Sequence, residues 1–198
     1  MSLTLSASDL NTNEARRRYR TIKAIVLHWD GEPLDNGAYG PAQEAAKLVN
    51  TLSKWGWQTE DYWIMPDNPV EKTAKFLRDW TRASQPDELL VVYYVGHGRR
   101  SSREPTPQPF RITRGGNRRG DDAIIDWPVI RSVLEAARCD IVMFLNCCYG
   151  ADAWLSRNLE EDGFKGPSGK VMVCLSAYNF TMRTLVANVT LPVYPCCY

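Results

Sequence analysis

Val91-Val92-Tyr93-Tyr94-Val95-Gly96-His97-Gly98 and Ile141-Val142-Met143-Phe144-Leu145-Asn146-Cys147-Cys148-Tyr149-Gly150 are two apolar runs of strand length, each ending in polar residues and a glycine. A run that is apolar on both faces reads as a buried strand of a parallel sheet. Ile22 to His28 is a third such run, Trp57 to Met65 alternates weakly, and Val171 to Ser176 is a last clear strand. Helical patterns lie between them. Pro41 to Trp55 carries Ala42, Ala45, Ala46, Leu48, Val49 and Leu52 at helical spacing, and the proline suits a first-turn position. Asp67-Asn68-Pro69 reads as an Asx cap that opens a second helix, with Val70, Ala74, Leu77 and Trp80 on one face. Asp126-Trp127-Pro128 caps a third, which runs to about Ala137, and Asp152 to Leu159 is a further candidate. This alternation predicts an α/β fold, a mostly parallel sheet with helices on both faces.

Composition narrows the class. The chain has 198 residues, enough for one domain with a substantial core, and 44% of them are hydrophobic. A net charge of +1 gives no general attraction to nucleic acid or anionic lipid, so neither is expected as a partner. There is no transmembrane-length apolar run and no secretory signal at the N-terminus, so a cytoplasmic protein is expected. The cysteines, Cys139, Cys147, Cys148, Cys174, Cys196 and Cys197, are then expected as thiols rather than disulfides. No C-x-x-C pair occurs and only His28 and His97 could add nitrogen ligands, so no metal site is expected. His28 itself reads as a structural or solvent-facing histidine. Arg99 to Gly120 holds seven arginines and one acid, and reads as a surface loop with a short strand at Phe110 to Thr113.

In open α/β sheets, ligands bind outside the carboxyl ends of the strands, where both His97 and Cys148 fall. A cysteine is a nucleophile only as the thiolate, and a nearby histidine can take its proton and later return it to a leaving amine. Strand side chains alternate faces, so Cys147 and Cys148 cannot both enter one cleft. Cys148 is the expected nucleophile, and Cys147 the expected small buried hydrophobe. Backbone N–H groups of Gly98 and Cys148 are the candidate oxyanion donors. The expected chemistry is that of a thiol hydrolase acting on peptides.

With these motifs the sequence resembles the caspase-like cysteine peptidases, most of all the metacaspase type. Their signature is a Gly-His-Gly turn after a tyrosine-rich strand, followed by an Asp-x-Cys motif after an apolar strand. Here these read Tyr93-Tyr94-Val95-Gly96-His97-Gly98 and Asn146-Cys147-Cys148-Tyr149-Gly150-Ala151, with 148 − 97 = 51 residues between the pair. The resemblance implies a three-layer caspase-like fold and cysteine-type endopeptidase activity on a peptide or protein substrate. It implies His97 as general base, Cys148 as nucleophile, and Gly98 as the partner donor for the oxyanion. It places Asn146, Ser176 and Ala177 around the substrate pocket. The family's acid two residues before the nucleophile is Asn146 here, and no acid follows Ser176-Ala177 closely. Attraction for a basic P1 side chain is therefore expected to be weaker. No cofactor is expected; calcium, which some metacaspases use, would find only the adjacent pair Asp121 and Asp122, whereas it takes about six or more oxygens. The expected organisation is a flexible leader over residues 1–20, a caspase-like domain over 21–185 with the Arg-rich loop at 99–120, and an irregular tail over 186–198. The missing acids and short C-terminus also motivate an alternative, a catalytically silent module of this fold that serves as a binding or signalling scaffold.

Overall fold

A computed structural model describes residues 19–31, 40–100, 110–115, 123–150, 153 and 172–176. In chain order its elements are β1 (Thr21–Trp29), α1 (Pro41–Lys54), β2 (Gln58–Ile64), α2 (Pro69–Arg82), β3 (Glu88–Val95), β4 (His97–Arg100), β5 (Phe110–Thr113), β6 (Ile124–Asp126), α3 (Trp127–Glu135), β7 (Asp140–Asn146) and β8 (Met172–Ser176). Five strands form a parallel sheet in the order β2-β1-β3-β7-β8. Helices cover both faces, as the alternation of patterns requires. Ala45 and Leu52 of α1 pack with Ile22, Ala24, Val26, Val91 and Val95 on one side. Ala74 and Leu77 of α2, and Ile130 and Leu134 of α3, pack with Ile25, Leu27, Leu90, Val92 and Met143 on the other. Alternate residues of β1 and β3 thus serve two different cores, which is why these strands are almost continuously apolar. β2, at the sheet edge, is mostly polar and exposed, which blunts pairing with another chain.

The described parts of the arginine-rich stretch, residues 99–100 and 110–115, include strand rather than loop alone. β4, β5 and β6 form a second, antiparallel sheet, so His97 and Gly98 are strand residues paired with Thr113 and Ile112. Phe110, Ile112 and Ile125 are fully buried in the core on the α2–α3 side. β5 is the short strand expected at Phe110 to Thr113, whereas β4 and β6, of four and three residues, leave too little alternation to be read locally. Two of the arginines are structural. Arg111 Nε donates to Asp126 Oδ1 at 2.6 Å, and Arg114 donates to the carbonyls of Asp30 and Gly31 at 2.9 and 2.7 Å, tying the second sheet to the end of β1.

Both expected side-chain caps are absent, although the helices begin where proline predicts. Asn68 is left-handed, with φ 51°, and makes no cap hydrogen bond; the carboxylate of Asp67 pairs with Lys72 instead. Asp126 is spent on Arg111 rather than on the first turn of α3. Proline, first in α2 and second in α3, fixes a helical φ in the first turn and has no N–H to satisfy, so these starts survive without a cap. In α1, Ala46 is exposed, although its helical spacing predicts the apolar face. No helix among the described residues is long and apolar enough to cross a membrane. The N-terminal leader through residue 18, the 152–159 helix apart from Ala153, Asp121 and Asp122, and the chain beyond Ser176 lie outside the described residues.

At the amino end of the sheet, Glu88 is buried and accepts from Lys23 Nζ at 2.8 Å, Arg20 Nη2 at 3.3 Å and the Gln85 N–H at 2.9 Å. Burial pushes its carboxyl up, but the Lys23 and Gln85 bonds and the neighbouring cations outweigh this and hold it below the usual carboxylate range. A folded pKa below the unfolded one contributes stability above the unfolded pKa, and that contribution is lost as pH falls through the folded value. Glu88→Gln is therefore expected to lower stability by about 1–2 kcal/mol at pH 7, and by progressively less below about pH 4. Urea unfolding of both proteins across this range checks it; a pH-independent difference would refute it.

Candidate active site

Chain order dictates where a crevice can open. α1, after β1, lies on one face of the sheet, whereas β3 runs on into β4 on the α2–α3 side. Loops that leave neighbouring strands toward opposite faces part at the carboxyl edge, and ligands bind there. β3 and β7 end together beside this point, with Val95 paired to Asn146. That register offset, 146 − 95 = 51, equals the separation of His97 and Cys148, 148 − 97 = 51. The two residues lie the same number of steps beyond the last paired positions, so the spacing read in the sequence is the register of the two strands.

Contacts beyond the ladder hold the two ends together. The Gly96 N–H donates to the Asn146 carbonyl at 3.3 Å. Gly98 is buried, and a Cβ built on it would lie 2.2 Å from the Cys148 carbonyl oxygen and 3.1 Å from Cys147 Sγ. Only glycine lets β4 pack this closely on the turn that carries the cysteines. Gly96 has φ +153°, and a Cβ there would lie 2.7 Å from the Tyr94 hydroxyl. His97 is half-buried at the start of β4.

The cysteines separate by face. Cys147 is 7% exposed and joins the core on the α2–α3 side with Ile141, Met143 and Leu145. Cys148 is a free, exposed thiol on the turn that follows β7. Tyr149, next to it, is left-handed with φ 59°, and its ring is 37% exposed. A non-glycine residue in that conformation costs on the order of 1 kcal/mol, and such strain gathers at functional turns.

Asn146 ends β7 on the α1 side. Its Nδ2 donates to Glu44 Oε1 at 2.5 Å, and the Tyr93 hydroxyl donates to the same oxygen at 3.4 Å. The Tyr93 ring stacks on Phe144, with centroids 5.7 Å apart. A carboxylate therefore stands beside Asn146, supplied by the first turn of α1. Sequence reading missed Glu44. Its only local signal is being the acid in that turn, and its partner lies 102 residues away. Ser176 belongs to β8, with its backbone paired to Leu145, one step from Asn146; Ala177 lies outside the described residues.

His28 is fully buried, not solvent-facing. Its Nε2 lies 2.9 Å from Asp61 Oδ1 and its ring packs edge-on against Trp63. It is held at the β1–β2 side of the sheet, with two strand widths between it and β7. Among the described residues, no group of three or more His, Cys, Asp or Glu side chains is placed to hold a metal ion.

No protein-family model matches the chain, and no curated protein matches it. Among solved structures, a structural-genomics protein from Geobacter sulfurreducens matches with a TM-score of 0.46 and 15% identity, over 65% of this chain and 50% of its own. The structure of pro-sf-caspase-1 matches with a TM-score of 0.45 and 11% identity, over 83% of this chain and 67% of that one. The chain spans half the length of the first and about two thirds of the second.

The contact at Gly98 has a direct test. Gly98→Ala places a methyl group against backbone, which cannot move aside as a flexible side chain does. The expected loss of stability is about 1–3 kcal/mol, the usual range for overpacking. Thermal unfolding measures it; an unchanged midpoint would mean that β4 does not press on the Cys148 turn.

Proposed function

We propose that this chain is a cysteine-type peptidase of the caspase-like kind, with Cys148 as nucleophile and His97 as general base. The observation that carries this reading is the close approach of the two strand ends. An exposed thiol and a half-buried histidine sit equally far beyond a shared ladder, on backbones in contact through Gly98. His97 takes the Cys148 thiol proton, and the thiolate sulfur adds to the scissile carbonyl carbon. The resulting oxyanion is held by the N–H groups of Gly98 and Cys148. The protonated His97 then gives its proton to the departing amine as the C–N bond breaks, leaving a thioester. His97 next deprotonates a water that attacks the thioester, which frees the acid product and returns the proton to the sulfur. Cys147, sealed in the core, takes no part.

The P1 pocket in this reading is formed by Asn146, Ser176 and Ala177, with Glu44 as a further member. Asparagine at 146 lacks the charge that would attract Arg or Lys. The Glu44 carboxylate, bonded to Asn146 Nδ2, restores a negative charge at that position. A charge-assisted bond to a basic side chain contributes about 1.5–3 kcal/mol, enough for at least about tenfold preference.

Two outcomes follow. Cys148→Ala should abolish turnover of a fluorogenic peptide panel with Arg, Lys, Asp and neutral P1 residues, while Cys147→Ala keeps activity within about threefold. Glu44→Gln should lower kcat/KM for Arg and Lys substrates by about tenfold or more and leave neutral ones unchanged. If no peptide is cleaved and a thiol-reactive peptide probe does not label Cys148, the reading falls, and a non-catalytic binding module of the same fold replaces it.

A further inference from the structure

Tyr94 precedes His97 by three residues, and its side chain is fully buried in the core on the α2–α3 side. Its hydroxyl donates to the His97 carbonyl at 2.7 Å and accepts from the Trp29 indole N–H at 3.2 Å. Trp29 is the last residue of β1 and is also fully buried. One oxygen thus joins the end of β1, the end of β3 and the first residue of β4. The chain folds tightly over that oxygen at Gly96, where a Cβ would collide with it, while the Gly96 N–H is bonded sideways to the end of β7.

Packing alone does not call for a hydroxyl here. Phenylalanine would fill nearly the same volume, and a buried phenol is unfavourable unless its O–H is bonded. The bonds it makes are not part of any strand ladder. They fix the backbone where the chain leaves the parallel sheet for the antiparallel one. The His97 side chain is carried by that backbone, so where its ring can reach depends on it.

We propose that Tyr94 is a positioning residue for the Cys148–His97 pair, acting through the His97 carbonyl, with Trp29 holding its hydroxyl in place. This rests on the peptidase reading, and the test separates the two. In the full chain, Tyr94→Phe should fold and lower kcat by about tenfold to a hundredfold, with KM within about twofold, because reacting groups are misplaced and no substrate contact is lost. The chain has two histidines, so the ring resonances of His97 can be followed with His28 as internal reference. Those of His97 should shift and those of His28 stay. Trp29→Phe should lower kcat in the same direction by about threefold to tenfold, and adding it to Tyr94→Phe should change little further. An unchanged kcat with unmoved His97 resonances would overturn the inference. If Tyr94→Phe fails to fold by circular dichroism, Trp29→Phe alone decides by the same two readouts. If the wild type cleaves no peptide, the peptidase reading fails. The His97 resonances and the alkylation rate of Cys148 by iodoacetamide then still decide whether Tyr94 sets the geometry of the pair.

Discussion

The ladder between β3 and β7 is the constraint on which the rest of the site depends, because it fixes the offset at which two strand ends meet. Val95 lies opposite Asn146, and every residue beyond inherits that alignment. A slip of one residue would exchange the two faces of β7. It would put Asn146 and Cys148 into the core that now holds Leu145 and Cys147, and would bring the buried thiol to the edge. Such a slip is opposed along the whole strand. Ile141, Met143 and Leu145 would leave a core, and the polar Asn146 would enter it. The hydrophobic pattern of a central strand thus selects which of two adjacent cysteines is presented to solvent.

The second sheet converts that alignment into a close contact. The chain turns at Gly96 and continues as β4, so Gly98 lies against the Cys148 carbonyl. The antiparallel sheet is anchored by Phe110, Ile112 and Ile125 in the core and by Arg114 on the carbonyls after β1. Arg114, from a run that looks like a solvated patch in one dimension, therefore acts as a strut that ties the sheet of the histidine-bearing strand to the main sheet. Fixed guanidinium geometry suits this use, since one side chain reaches two carbonyls at once.

Much of the architecture was legible from pattern alone. Apolar runs marked β1, β3 and β7, proline marked the first turn of each helix, and the 51-residue separation carried the strand register without naming it. The caps misled because an Asx side chain has other partners in a folded protein. Asp126 met Arg111 across the second sheet, and Asp67 met Lys72 one turn into the helix it was expected to cap. β4 and β6 escaped because short strands draw their stability from pairing and burial rather than from local alternation.

What the sequence by itself determined is the set of residues at the carboxyl edge: His97 between two glycines, and two cysteines that alternation sends to opposite faces, the outer one nearer the turn at Gly150. These are local properties, since strand periodicity and glycine's backbone freedom act within a few residues. Only the tertiary structure decided what surrounds them. Glu44 beside Asn146, the Trp29–Tyr94 hydrogen bond and the Arg114 strut all join segments remote in sequence, through single polar atoms that leave no periodic trace. Burial patterns repeat along a chain and can be read from it, whereas one hydrogen bond between distant residues exists only once the sheet has brought its ends together.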